Sequence, residues 1–301
     1  MRALITGGNG FVGTWLAAYL TEAGDEVILI DRETDVRDGE SLRRVLVAKA
    51  PDVVYHMAAF SHVGRSWDDP ARVFEVNAVG TLNLLQAAIS CERPPIVLLT
   101  SSAEVYGPVS EEELPLGEEA QLRPATPYAA SKVAAEYLGV QAYLGSGLKV
   151  IRVRPFNHVG PGQSADFAVS ALASRVVAAQ RSGQRTIPVG NLSARRDLTD
   201  VRDVVRAYRL LVLQGSPGAV YNVCSGRDVA ISKIAERLVD LAGGGLSLEV
   251  DPALVRPVDL PVLRGDPSLL VSTTGWEPRK TLDETLADVL GYWREKSDAA
   301  L

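Results

Sequence analysis

The first twenty residues restrict this chain more than any others. A short apolar run, ALIT at 3–6, passes directly into GGNGFVG, after which Trp15, Leu16, Tyr19 and Leu20 recur at helical spacing. Strand, glycine loop and helix in that order open a doubly wound α/β sheet. Gly7 suits the tight turn, Gly10 lets backbone approach a pyrophosphate, and Gly13 lets helix and strand pack closely. The helix that follows offers free N–H groups and the positive end of its dipole to phosphate oxygens, so Gly7, Gly10, Phe11, Val12 and Gly13 are expected to cradle a dinucleotide.

Further apolar runs stand at Val27 to Ile30, Val53 to Met57, Ile96 to Thr100 and Lys149 to Val153, with helical patterns around Asn77 to Ile89 and Tyr128 to Leu144 between them. Continuous rather than alternating apolar strands predict a parallel sheet covered on both faces. Only RETDVRD separates Asp31 from a helix near Gly39, so the third strand of the usual doubly wound order is expected to be vestigial. After Arg154 the pattern changes to turn-rich PFNHVGPGQ, a helix near Phe167 to Gln180 and arginine-punctuated loops. The expected fold is therefore a Rossmann domain over 1–155, with segments near 190–225 returning to it, and a smaller C-terminal substrate lobe in 156–301.

The chain has 301 residues, 47% hydrophobic and 23% charged, enough for a full core, and a net charge of −6 that gives no general attraction to nucleic acid or anionic lipid. Any phosphorylated ligand must then be met by local arginines. Cys91 and Cys224 lack metal-ligand spacing and read as buried thiols of a reducing compartment, with no metal expected. Glycines interrupt the apolar N-terminus and no apolar run reaches membrane-spanning length, so a cytoplasmic protein is expected.

Asp31, at the end of the second strand, can accept both adenosine ribose hydroxyls and repel a 2′-phosphate, which favours NAD(H). Arg32 beside it can take up that phosphate, which leaves NADP(H) as the alternative. Asp35 and Val36 are placed near the adenine. Tyr128 and Lys132 stand four apart on one helix face, where an ammonium and the cofactor's positive ring would lower the phenol's pKa. Ser102 follows the strand that ends at the same cleft and can hydrogen-bond a reacting oxygen.

TGGNGFVG, HMAA at 56–59, SSAEVYG, YAASK and RPFNHVGPGQ, in this order along nearly the whole chain, resemble the extended short-chain dehydrogenase/reductase family acting on nucleotide sugars. Within it, VGNLSARRDLTDVRDVVRAY, YNVCSG and RPVDLPVLRGD resemble the GDP-4-keto-6-deoxy-D-mannose reductases, with GDP-mannose 4,6-dehydratases as neighbouring relatives. The resemblance implies Ser102, Tyr128 and Lys132 as catalytic residues and Ala58, Ala59 and Asn77 in the cofactor site. It places Asn157 at the sugar or diphosphate, Arg196 at the diphosphate and Arg256 at the nucleotide ribose or phosphate of a GDP-sugar.

In the family's dehydratases a glutamate at the place of Glu104 removes the C5 proton, usually beside a second polar group; here the neighbour is Ala103. Glu104 is thus either a catalytic group or a residue that orients the tyrosine loop. Asn77 reads either as support for the lysine or as a helix N-cap, Trp67 as a packing residue, and His62 and His158 as incidental loop histidines. Reductase, dehydratase and C4 epimerase share this core. A non-catalytic NAD(P) sensor would not need Ser102, Tyr128 and Lys132 together. Surplus apolar residues on the helices bearing Asn77 and Tyr128 suggest a homodimer through a four-helix bundle.

Overall fold

Each apolar run of the N-terminal half becomes a strand and each periodic segment a helix. The computed structural model describes residues 1–254 and 260–298. In order come β1 (Arg2–Thr6), α1 (Phe11–Glu22), β2 (Glu26–Ile30), α2 (Gly39–Lys49), β3 (Val53–His56), α3 (Pro70–Phe74), α4 (Gly80–Ile89), β4 (Ile96–Thr100), α5 (Pro127–Ser146) and β5 (Val150–Pro155). The second half holds β6 (Asn157–Val159), α6 (Ala168–Ser182), β7 (Thr186–Val189), β8 (Arg195–Asp200), α7 (Val201–Gln214), β9 (Val220–Val223), β10 (Asp228–Ala230), α8 (Ile231–Leu241), β11 (Ser247–Val250), β12 (Val262–Leu263), α9 (Ser268–Thr274) and α10 (Leu282–Asp298).

The main sheet runs β2-β1-β3-β4-β5-β9 with every pair parallel. Its central strands are buried on both faces, which is why Val53 to Tyr55 and Val97 to Leu99 read as unbroken apolar runs. One face packs Leu16 and Leu20 of α1 with Val204, Tyr208 and Leu211 of α7, and the other packs Leu42, Leu46, Leu84 and Ala142 of α2, α4 and α5. A separate core, with Leu172, Val176, Ile234, Leu238, Leu286 and Leu290, holds α6, α8 and α10 together. The helices of this second cluster lie against short strands outside the main sheet, where β8 sits between β10 and β12 and also pairs with β6.

Two expectations need correction. Among the described residues no third strand, even a vestigial one, lies beyond β2: residues 31–38 are taken up by two turns, closed by Thr34 N–H on Asp31 C=O (2.9 Å) and Asp38 N–H on Asp35 C=O (2.9 Å), and Asp38 then caps α2 through the Ser41 N–H. The space is spent on turns, and β2 is left as the edge strand. Trp67 is not a packing residue, since it stands 55% exposed on a short 3-10 turn whose buried member is Ser66. Both cysteines are buried and free.

His56, at the end of β3, is fully buried between Thr6 (Nδ1 to Oγ1, 2.8 Å) and Thr81 (Nε2 to Oγ1, 3.0 Å). Thr81 donates to the Asn77 carbonyl, so it accepts from Nε2–H, and the ring is the neutral Nε2–H tautomer with Nδ1 accepting from Thr6. Thr6 in turn accepts the Ala58 N–H (3.1 Å), which seats the HMAA loop under the glycine turn. Burial, aided by the Lys132 charge, pushes His56 down to about 3. Unfolding lets it charge at its ordinary value of 6.5, so the unfolded chain binds the extra proton between those two values. Stability should therefore fall as pH drops from 6.5 toward 3. Urea midpoints measured across that window should show a shallower slope for His56→Asn than for the unchanged chain, and parallel slopes would refute the assignment.

Candidate active site

The glycine loop closes on itself so tightly that side chains are excluded. A Cβ on Gly7, where φ is +66°, would lie 2.9 Å from the Ala58 backbone, and one on Gly13 would lie 2.4 Å from the Gly7 carbonyl. Gly10 differs: its φ of −73° is open to any residue, and it begins α1 without a side-chain cap. Its missing side chain serves close approach, and the first N–H groups of α1 face the cleft without a capping side chain. Asp31 lies across this loop, its Oδ2 accepting the Asn9 N–H (2.8 Å) and its Oδ1 the Arg32 N–H (2.9 Å). Arg32, Asp35, Val36, Ala58 and Ala59 line the same wall. These residues fit a nicotinamide dinucleotide, with backbone for the pyrophosphate and a carboxylate where the adenosine ribose would fall.

Asn77 does not cap a helix. It lies inside a π-helical turn, Glu75–Val79, that joins α3 to α4 without a break. A π-turn adds one residue and rotates a side chain out of the helical register. The rotated carboxamide accepts the Phe60 N–H (2.7 Å) and donates to the Phe60 carbonyl (3.1 Å) and to Ser131 Oγ (2.9 Å), tying the 58–62 loop to the residue next to Lys132.

The catalytic candidates come together at the C-terminal end of the main sheet. Thr126 caps α5 by accepting the Ala129 N–H, and Pro127 occupies its first turn, so Tyr128 enters the cleft at the start of a 20-residue helix. Lys132, one turn on, donates to the Thr100 carbonyl at the end of β4 (2.9 Å). Ser102 begins the 3-10 turn Ala103–Tyr106 that follows β4, with its Oγ accepting the Glu104 N–H (3.2 Å).

Burial raises Tyr128 to about 12, a Ser102 hydrogen bond offsets part of that rise, and the Glu104 charge adds to it. Burial also draws Lys132 down to about 8. The expectation that the lysine would pull the phenol down is not met by the protein alone: the ammonium is turned to Thr100 and desolvation outweighs it. At neutral pH the site holds a protonated tyrosine beside a cationic lysine.

Across the cleft stands the second half of the chain. Asn157, exposed at the start of β6, and Arg196, on β8 with its guanidinium donating to the Leu260 carbonyl (2.6 Å), both line the cavity. Arg256 lies outside the described residues. The cleft encloses about 1490 Å³, a volume that exceeds the roughly 300–1,000 Å³ one small ligand needs.

Arg175, which the sequence reading did not single out, and the two histidines it read as incidental also line it. Arg175 on α6 lines the cleft and donates to the Pro188 carbonyl (3.0 Å), and nothing in its helical pattern separates it from a surface arginine. His158 and His62 both face the cavity, His158 stacked on Phe11 of the glycine loop (centroids 6.1 Å apart) and His62 near Phe167 (6.2 Å). No helix among the described residues is long and apolar enough to cross a membrane.

Comparison with known proteins agrees with this geometry. The family described as GDP-mannose 4,6 dehydratase matches residues 32–289. The chain is 40% identical over 299 residues to GDP-6-deoxy-D-mannose reductase of Pseudomonas aeruginosa, covering 98% of each. It is similar to the solved structure of RMD from Pseudomonas aeruginosa complexed with NADPH, with TM-score 0.91, 37% identity, and coverage of 98% of this chain and 100% of that one. A UDP-glucose 4-epimerase of Thermus thermophilus in complex with NAD is also similar, with TM-score 0.87, 31% identity, and coverage of 98% and 99%. With a Rossmann sheet, a Ser102, Tyr128 and Lys132 constellation and a near-complete match in length, the chain belongs to the GDP-mannose 4,6 dehydratase family, within the extended short-chain dehydrogenase/reductases.

Proposed function

We propose that the protein reduces the 4-keto group of GDP-4-keto-6-deoxymannose, forming a GDP-6-deoxyhexose such as GDP-rhamnose. The observation that carries this reading is Glu104 standing beside a buried Ala103. Expelling water across C5 and C6 needs a base at one carbon and an acid for the departing hydroxyl, whereas reducing a carbonyl needs a proton donor at its oxygen alone. Ala103 carries no acid. The reductase relative of Pseudomonas aeruginosa supports the same choice.

A bound reduced nicotinamide supplies the hydride. Tyr128, protonated at neutral pH, gives its proton to the oxygen on C4 while Ser102 hydrogen-bonds that oxygen, and Lys132 holds the tyrosine and the nicotinamide ribose. Asn77 keeps the Ser131 turn and the 58–62 loop in register. Residues 1–155 with the returning β9 hold the cofactor, and 156–301 mainly hold the sugar nucleotide. Asn157, Arg196 and Arg175 meet the sugar and diphosphate, with Arg256 at the nucleotide. Guanidinium forks suit phosphate oxygens in a chain whose overall charge is negative.

Asp31 favours NAD(H); Arg32 and the NADPH-bound relative support NADP(H) as the alternative. The protein is cytoplasmic and homodimeric in this reading: Val79 and Ile89 on the Asn77 side and Tyr137 and Leu144 on α5 are exposed, the last two at 61% and 75%. A strict monomer on gel filtration would remove the dimer.

The presence of Glu104 in the cleft favours one second reading, GDP-mannose 4,6-dehydratase. Incubation with GDP-4-keto-6-deoxymannose plus NADH or NADPH, and separately with GDP-mannose, decides between them. The reductase consumes reduced cofactor only with the keto sugar. A 4-keto product from GDP-mannose with no net change in cofactor would sink it.

A further inference from the structure

Tyr128, Lys132 and Glu136 fall on one stripe of α5, four residues apart, yet Glu136 is 1% exposed and lies on the far side of Lys132 from Tyr128. Its carboxylate is clamped by Arg154 of β5, with Nε to Oε2 at 3.1 Å and Nη2 to Oε1 at 2.5 Å, and is approached by Arg152 at 3.3 Å. Arg154 then reaches over the Tyr106 ring, its guanidinium 5.1 Å from the centroid, and its Nη1 donates to the Tyr106 hydroxyl (3.0 Å). Tyr106 donates onward to Asn222 Oδ1 on β9 (2.7 Å), whose Nδ2 donates to the Leu116 carbonyl (2.8 Å). Glu136, Arg154, Tyr106 and Asn222 are all buried.

This hydrogen-bonded line joins the two halves of the catalytic site. Glu136 belongs to the helix that carries Tyr128 and Lys132. Tyr106 closes the 3-10 turn that begins at Ser102, four residues earlier. We propose that Tyr106 is a positioning residue, which through Arg154 and Glu136 locks the Ser102 turn to α5 and so fixes the Ser102 hydroxyl against the Tyr128 phenol. The turn's own backbone is tied to the segment ahead of α5, since Arg123 N–H bonds the Val105 carbonyl inside the turn (3.0 Å). What the Tyr106 hydroxyl adds is the coupling between the turn and the helix. Four buried groups held by one another leave little freedom for the turn to slide along α5.

The assignment rests on the reading of Ser102 and Tyr128 as the catalytic pair. Tyr106→Phe deletes only the linking hydroxyl, and Arg154 keeps Glu136 and the Glu118 carbonyl (2.7 Å) as partners, so the fold survives. Tyr221→Phe is the control: it removes a hydroxyl from β9, one residue from Asn222, that accepts the Ser216 N–H (3.0 Å). Two measurements test the assignment, and the second, made without sugar, is independent of the choice of substrate.

In turnover of the keto sugar, Tyr106→Phe should lower kcat about tenfold with KM unchanged, and Tyr221→Phe should leave both unchanged. Without any sugar, the Tyr128 phenol is titrated by NMR of isotope-labelled tyrosine in the complex with oxidised cofactor, its signal assigned with Tyr128→Phe. Charged or titratable groups facing it are Lys132 on its own helix, Glu104 on the turn and Tyr208 on α7. Because the Ser102 hydrogen bond lowers this phenol, loosening it in Tyr106→Phe should move the titration to higher pH while Tyr221→Phe leaves it in place. A Tyr106→Phe titration that coincides with the unchanged protein, or one matched by Tyr221→Phe, overturns the proposal whether or not the keto sugar proves to be the substrate.

Discussion

Replacing Tyr128 with phenylalanine should lower kcat by about 10²–10⁴-fold, the span associated with loss of a positioned general acid, while leaving cofactor affinity close to that of the unchanged protein. The physical ground is that reduction makes an alkoxide, and the cleft offers the protonated phenol beside Ser102 to quench it. Burial holds that phenol at about 12, so at neutral pH nearly every molecule carries the proton an acid must give. Lys132 and the glycine loop are untouched by the substitution, hence the expected separation of kcat from cofactor binding. Rates of NADPH or NADH oxidation with the keto sugar, and fluorescence titration of the reduced cofactor, give the two numbers. A variant that keeps a third or more of the wild-type kcat would remove Tyr128 from the chemistry.

Glu136→Ala should destabilise the fold by about 3–5 kcal/mol, the cost of leaving one member of a buried ion pair without its partner. Arg154 is 4% exposed and Glu136 is 1% exposed, so water cannot take over the hydrogen bonds that disappear. Burial opposes the Arg154 charge, and the Glu136 carboxylate and the Tyr106 hydroxyl more than offset it, so the guanidinium is held protonated well above its ordinary range. Removing the carboxylate leaves the desolvation uncompensated. Paired replacement by Glu136→Leu with Arg154→Met removes both charges and should cost less than the single change. Urea unfolding of the three proteins tests the ordering; a single variant within about 1 kcal/mol of wild type would mean that the pair is not isolated from solvent.

How far the sequence alone reaches depends on the range of the interaction being read. The glycine loop and the strands Ile96 to Thr100 and Val53 to His56 follow from neighbours in the chain: glycine spacing and unbroken apolar runs. Resemblance to the family carried the reading further, to the reductase branch and to Asn157 and Arg196 at the cleft. The local reading failed where its signal was ambiguous. Asn77 has the composition of a cap, yet a π-turn inside a continuous helix rotates it toward Phe60 and Ser131. Trp67 has the size of a core residue, yet the loop that carries it places Ser66 inside and the indole outside.

The sheet, the dinucleotide cradle and the Tyr128 and Lys132 pair were thus legible in the chain, because each is written in local runs of residues, while Ser102 was read from its place after a strand and from the family resemblance. Tertiary packing settled the rest. Arg175 becomes a cleft residue only because α6 folds back against β7, where it donates to the Pro188 carbonyl. The phenol's high pKa arises from burial that no spacing rule reports. Glu136, Arg154, Tyr106 and Asn222 lie on four separate segments of a chain whose strands pair β4 with β5 and β5 with β9, and only that pairing lets one buried hydrogen-bonded line join the two halves of the site.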